Sequence, residues 1–269
     1  MPQLQRSAFL LHPSPEAPVG RRSNDSLRSS PMRPIESLVH TRTRVGRRYA
    51  LMPLEGFPPS RLPGFPDAEV RVLASPHLGA AFVQYLIDMP AGTVGSFDGD
   101  GIETFVFVMR GDGEGTFTLS PPGQPVAIEA GATDAQILVL RKRYEPAPGI
   151  EPFAALTGHV DDIEKTVWEG NPDALLQELI PSDFAFDMAM NIFTFSPGHG
   201  LPIVETHVME HGLYLLDGKG LYYLDGDWME VEQHDYIYMA PFCPQSYYAT
   251  GPTPTRYLYY KNVNREVRL

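Results

Sequence analysis

The chain has 269 residues, enough to bury a substantial core in one large β domain or in two of ordinary size. A formal net charge of −12 argues against nucleic acid as a partner, because neutralising phosphates needs clustered Lys and Arg. The single cysteine, Cys243, excludes an intrachain disulfide framework and a cysteine-rich metal centre, and no apolar run reaches the length that crosses a bilayer.

Residues 1–40 read as a disordered or poorly ordered N-terminal arm, in which Arg and Ser are interspersed with Pro and Glu. Its apolar stretch at 8–11 is too short for a secretory signal, so the expected location is the cytoplasm. Residues 41–67 carry strand-like fragments broken by Pro53, Pro58, Pro59, Pro63 and Pro66. Short β runs then follow: DAEVRVLASP, AAFVQYLIDM, ETFVFVMRG, GEGTFTL, QPVAIEA and AQILVLRKRYE. Each is rich in β-branched or aromatic residues, and the breaks fall at Gly, Asp and Pro. Residues 151–182 read as a linker, where Asn171-Pro172-Asp173 opens a short helix through Ile180. Strands resume over FAFDMAMNIFTFSPG, GLYLLDG, KGLYYLDG, DWMEVEQ, DYIYMAP and TRYLYYKNVNREV.

The two halves echo each other. VMRGDGEGTFTL at 108–119 parallels LLDGKGLYYLDG at 215–226, with Gly111 matching Gly218 and Gly113 matching Gly220. Upstream, YLIDMPAGT matches NIFTFSPGHG; downstream, AQILVLRKRYE matches TRYLYYKNVNR. Repetition on this scale implies two stacked copies of one β unit, and the lack of a βαβ rhythm points to sandwiches or barrels. The expected organisation is an N-terminal unit over 41–150 with its preceding strands, the linker over 151–182, and a C-terminal unit over 183–269.

Histidines gather in the second unit: His199, His207, His211 and His234. In PGHGLPIVETHVMEHGLYLLDG, Glu205 and His207 are two residues apart and project from one face of an extended segment. His211 follows four residues later, beside Gly212, and Gln245 lies after DYIYMAP. One carboxylate, two imidazoles and an amide oxygen make a mixed N/O set that suits Mn, Fe, Ni or Zn. His199 and His234 read as surface or turn residues bonded to backbone. Cys243 has no evident base partner and reads as packing. The first unit has no histidine between His77 and His159; its Asp98, Asp100 and Glu103, next to several glycines, read as a solvated turn.

These segments resemble the two motifs of the cupin superfamily, with specific departures. Glu205 stands where the first His is usual, His207 keeps the second, His211 replaces the customary Glu, and Gln245 replaces the last His. Ala240 and Phe242 replace the Pro and Gly of the second motif. The altered set is similar to that of the (S)-ureidoglycine aminohydrolase family over about residues 40–269. That resemblance implies an all-β bicupin: two stacked jelly-roll β-barrels with short helical connections, the first non-catalytic. It implies one Mn2+ per chain, with other divalent metals also suited, held by Glu205, His207, His211 and Gln245. Substrate contacts then fall on Glu205, Tyr222, Gln245, Tyr257 and Lys261, with catalytic roles for Glu205, Gln245 and Lys261. The implied reaction converts a small ureido acid to its hydroxy acid and ammonia, in a homo-oligomer built as a dimer or an assembly of dimers. An Fe-dependent dioxygenase and a non-enzymatic small-ligand-binding cupin are the competing readings.

Overall fold

A computed structural model describes residues 41–267; the arm expected over 1–40 lies outside them. Within that span the first unit contributes β1 (Arg44–Val45), β2 (Tyr49–Met52), β3 (Ser60–Leu62), β4 (Phe65–Ala74), β5 (Phe82–Met89), β6 (Val94–Phe97), β7 (Ile102–Arg110), β8 (Thr116–Ser120), β9 (Val126–Glu129) and β10 (Ala135–Arg143). There follow β11 (Leu156–His159), β12 (Thr166–Trp168), β13 (Asn171–Glu178), β14 (Met188–Phe195), β15 (His211–Asp217), β16 (Lys219–Leu224), β17 (Asp227–Glu232), β18 (Tyr236–Met239), β19 (Gln245–Ala249) and β20 (Thr255–Asn262).

The expected pair of jelly-roll barrels with helical connections is corrected by the strand order. An eight-stranded sheet runs β1-β2-β18-β15-β20-β14-β13-β12 and a seven-stranded sheet runs β11-β8-β7-β10-β5-β4-β3, so both are open at their ends. A three-stranded sheet, β17-β16-β19, and a two-stranded one, β6-β9, are separate from them. A barrel requires an unbroken hydrogen-bonded ring; here each large sheet ends in two edge strands that do not pair with each other. Among the described residues the only helical pieces are single 3₁₀ turns, such as Val160–Asp162. The helix expected from Asn171 is strand β13. Asn171 Oδ1 accepts from Asp173 N at 3.1 Å, and Ala174–Glu178 then pair with β14, so tertiary pairing overrides the helix preference of ALLQE. Among the described residues no helix is long and apolar enough to cross a membrane.

Period-two alternation explains the layers. Along β10, Ile137 and Val139 pack with Phe97, Val126 and Ile128 of the two-stranded sheet, while Leu138 and Leu140 face the eight-stranded sheet. Along β20, Leu258 and Tyr260 enter that shared core, while Tyr257 and Tyr259 face the three-stranded sheet with Tyr222 and Tyr247. Each large sheet repeats one order, β5-β10-β7 and β14-β20-β15. The chain crosses between them early: β2 pairs with β18, placing residues before β3 in the second sheet. Glu103 departs from its expected place in a solvated turn. It is 0% exposed on β7, bonded to Lys142, because strand alternation points it inward.

Candidate metal centre

Of the expected site residues, His207, His211, Gln245 and Tyr222 are brought into direct contact where the eight-stranded sheet meets the three-stranded sheet, and Tyr257 and Lys261 lie on that face of β20. His211 opens β15 opposite Lys261 of β20, a cross-strand pair that projects to one face. Gly212 permits that placement. A Cβ there would lie 2.3 Å from Gln84 Oε1 and 2.7 Å from the Tyr236 hydroxyl. The segment carrying Glu205 and His207 is extended and pinned to the start of β19. Glu205 N donates to Gln245 O and Gln245 N to Glu205 O, both at 2.9 Å. Phe242 N donates to His207 O at 2.8 Å, and Phe242 has a φ of 61° where a cupin motif has Gly, a left-handed backbone uncommon for a side chain of this size.

His207 Nε2 and His211 Nε2 are 3.1 Å apart, and Gln245 Nε2 lies 3.0 Å from the first and 3.1 Å from the second. Adjacent donors around a cation bound at about 2.1 Å stand roughly 3 Å apart, so this triangle fits one ion. The tautomer agrees. His211 Nδ1 donates to Tyr260 O at 2.9 Å, so the Nε2 of the neutral ring carries its lone pair toward the triangle. Tyr222 donates to Gln245 Oε1 at 3.1 Å. A half-turn of that amide would set Oε1 at the triangle and Nε2 toward Tyr222, as a hard cation requires. Among the described residues no three side chains drawn from His, Cys, Asp and Glu form a metal-binding group. Glu205 is held beside the trio through its backbone, and no hydrogen bond joins its carboxylate to the three nitrogens.

Burial and charge set the protonation states. Burial, then the neighbouring His207, pushes His211 down to about 3; burial and Lys261 also lower His207. Both rings are therefore neutral and available as donors. Burial raises Glu205, Glu169 adds to the rise, and Lys261 opposes it. Burial lowers Lys261, while Glu178 and Glu205 favour its charge. The Lys261 ammonium makes no ion pair or hydrogen bond among the described residues, although two carboxylates act on it. Burial raises Tyr222 and Tyr257 well above the usual phenol range, which keeps both as hydroxyl donors. Their rings are 6.3 Å apart.

The other candidates lie apart. His199 sits 3.3 Å from Asp173, and His234, with a φ of 74°, bonds Tyr214 at 3.1 Å. Cys243 is buried in the core and its thiol is pushed up to about 11 by burial, so it stays protonated. Sequence reasoning passed over Asn191, Glu178 and Glu169. Asn191 and Glu178 pair with the Tyr259 row of the sheet and belong to the site's surroundings. The signal for Asn191 is an amide in the middle of the otherwise apolar stretch MAMNIF.

A family model for the cupin domain matches residues 191–260. The chain is 35% identical over 251 residues to the (S)-ureidoglycine aminohydrolase of Escherichia coli, covering 87% of this chain and 96% of that one. It is 33% identical over 239 residues to the (S)-ureidoglycine aminohydrolase of Arabidopsis thaliana, covering 84% and 79%. The crystal structure of a putative glyoxylate-induced protein from Pseudomonas aeruginosa superposes with a TM-score of 0.78 at 30% identity, covering 86% and 94%.

Proposed function

This chain belongs to the (S)-ureidoglycine aminohydrolase family, and we propose that Glu205, His207, His211 and Gln245 hold the divalent cation, Mn2+ by preference, on which its reaction depends. The reaction is hydrolytic deamination of (S)-ureidoglycine to (S)-ureidoglycolate and ammonia, a step of allantoin and purine-ring degradation. The triangle of donors at 3.0–3.1 Å, with the His211 ring fixed by Tyr260, carries the metal reading. A mixed N/O set containing a carboxylate favours Mn2+ over softer ions.

The substrate bears an amine and a ureido nitrogen on one carbon. The ureido lone pair helps expel ammonia, and water adds to the carbon, with no change of oxidation state. A bound divalent cation supplies Lewis acidity and a template. His207 and His211 stay neutral throughout and act as ligands. Lys261, a desolvated cation without a protein partner, takes the substrate carboxylate. Glu205, held beside Gln245 at the cation and facing the substrate, is placed to relay a proton toward the departing amine. Tyr222 and Tyr257, held as phenols, donate to substrate oxygens; Gln245 is positioned by Tyr222 and reaches both cation and substrate. We expect a cytoplasmic homo-oligomer, a dimer or an assembly of dimers, which light scattering would measure.

The test is ammonia release from freshly generated (S)-ureidoglycine by Mn-loaded and metal-stripped protein, corrected for spontaneous decay. Acceleration that depends on the metal and yields (S)-ureidoglycolate is expected. Oxygen consumption by iron-loaded protein, with no ammonia released by the Mn form, would overturn the assignment in favour of oxygenase chemistry.

A further inference from the structure

Asn191 sits in the middle of β14 between Met190 and Ile192, which both enter the core shared by the two large sheets. Alternation therefore turns Asn191 to the opposite face, the face of His211, Tyr257 and Lys261. It pairs with Tyr259 of β20 and is 0% exposed. Its Nδ2 donates to the Tyr259 hydroxyl at 3.2 Å, but its Oδ1 has no partner. Tyr259 receives that bond as an acceptor, so its own hydroxyl proton is unspent, and no acceptor for it occurs among the described residues. The Tyr259 ring is fixed: it stands edge-on to His211 at 5.7 Å and stacks on Phe193 at 5.8 Å.

A buried amide oxygen without a partner is costly, and a leucine here would avoid that cost among Phe193, Leu213 and Tyr257. The pair instead offers one fixed acceptor and one fixed donor beside the metal centre. A carboxylate cannot use such a pair, because it has no N–H or O–H to give. A carbamoyl group can: its terminal NH2 matches the acceptor and its carbonyl oxygen matches the donor. Lys261 lies two residues along β20 on the same face, so carboxylate and carbamoyl have separate anchors.

We propose that Asn191 and Tyr259 form the carbamoyl-recognition pair of this enzyme: Asn191 Oδ1 accepts from the terminal NH2 of the substrate's ureido group, and the Tyr259 hydroxyl donates to its carbonyl oxygen. This rests on the aminohydrolase reading above. It makes Asn191 the residue that selects a ureido acid over the acyl-amino acid of the same shape, in which methyl replaces the NH2. A site built to hydrogen-bond a substrate group discriminates strongly against an analogue that lacks it.

The experiment compares kcat/KM of the Mn-loaded full chain for (S)-ureidoglycine and for its acetamido analogue. The wild type should favour the ureido substrate by about 100-fold or more. Asn191→Leu should bring that ratio to about 1, by losing rate on ureidoglycine while the acetamido rate holds. Tyr259→Phe, which keeps the ring and needs no repacking, should slow both substrates by about tenfold and leave the ratio intact. A ratio unchanged in Asn191→Leu overturns the proposal, as does an unmoved kcat/KM in Tyr259→Phe should the leucine variant not fold. A wild type that releases no ammonia from either compound overturns the aminohydrolase reading, and this inference with it.

Discussion

Replacing Lys142 with methionine would strip the ammonium from a buried ion triad that ties the two large sheets together. Lys142 Nζ lies 2.8 Å from Glu103 Oε1 and 2.5 Å from Asp187 Oδ2, and Asp187 Oδ2 also accepts from Glu145 N at 2.7 Å. Glu103 and Lys142 are cross-strand partners of β7 and β10, whereas Asp187 directly precedes β14. Burial, reinforced by Asp187 and opposed by Lys142, raises Glu103 to about 9. Burial opposes ionisation of Asp187 as well, but its bonds to Glu103, Lys142 and Glu145 hold it below its ordinary value. At neutral pH the triad is thus a cation, an anion and a neutral acid. Lys142→Met leaves Asp187 as an uncompensated buried charge and should cost about 3–5 kcal/mol. Glu103→Gln keeps the neutral form and the shape, and should stay within about 1 kcal/mol of wild type at pH 6. The pH dependence separates the two carboxyls. Folded Glu103 binds a proton that unfolded glutamate has already lost, so its contribution is full below the unfolded value of 4.5 and is lost as pH rises toward 9. Asp187 has the opposite sign and loses its contribution only as pH falls through the acid range. Wild-type stability should then fall relative to Glu103→Gln by up to about 1.4 kcal/mol per pH unit between pH 6 and 8. Urea midpoints for the three proteins at both pH values measure this. Parallel pH slopes for wild type and Glu103→Gln would refute the protonated Glu103, and a Lys142→Met cost under about 1 kcal/mol would refute the triad as a tie.

Gly212→Ala should destabilise by about 1–3 kcal/mol, since its Cβ meets Gln84 Oε1 at 2.3 Å and Gln84 is itself held by the Tyr236 hydroxyl at 2.9 Å. The strain falls beside His211, so Mn2+ affinity, read by electron paramagnetic resonance, should weaken with it; unchanged affinity would show the ring to be held independently of the backbone. Lys261→Met should move stability and activity in opposite directions. Removing a desolvated, unpaired cation should stabilise the fold by about 1 kcal/mol, while KM for ureidoglycine rises by about tenfold or more. A KM equal to wild type would remove Lys261 from the carboxylate site.

The strands and the site were legible in the sequence for different reasons. Runs such as AQILVLRKRYE and TRYLYYKNV are near-continuous apolar stretches of strand length bounded by polar residues, as strands buried on both faces are, and the period of two puts Tyr257, Tyr259 and Lys261 on one face. His207 and His211 were readable as candidates from their spacing with Glu205, whereas Gln245, an amide that is usually just satisfied by hydrogen bonds, was singled out by the family resemblance. What alternation does not encode is closure: it assigns faces but leaves unstated which strands join, so open sheets replaced the expected barrels. It also concealed the pairing of β2 with β18, which joins residues nearly 190 positions apart. The missed strand β13 has a helix-forming composition, and its pairing with β14 on one side and β12 on the other makes it extended. Glu103 was misplaced because a carboxylate near glycines normally marks a turn, whereas here its partner Lys142 lies on another strand.

We read the second half as the one that carries the chemistry, and the repeat supplies the reason. Aligning Gly111 with Gly218 sets Thr104 where His211 stands, and aligning the closing strands sets Arg141 where Lys261 stands. The register agrees, since Arg141 pairs with Thr104 as Lys261 pairs with His211. The first copy thus keeps a cation at this point but has a hydroxyl in place of the imidazole, and Arg141 Nε donates to Thr104 Oγ1 at 3.3 Å. Its guanidinium lies 4.4 Å over the Phe97 ring and also donates to Asp98 O, so the group that would meet a substrate is committed to the protein. Val139 stands where the second copy has Tyr259, and the surrounding positions are apolar. Stacking an arginine on an aromatic ring and filling the floor with valine converts the pocket into core, a change that favours stability over binding. We therefore read the first unit as the structural partner of the second. Its contribution to the reaction is made across the shared core, where Gln84 and Phe82 back Gly212 and the Glu103–Lys142 pair grips Asp187 at the root of β14.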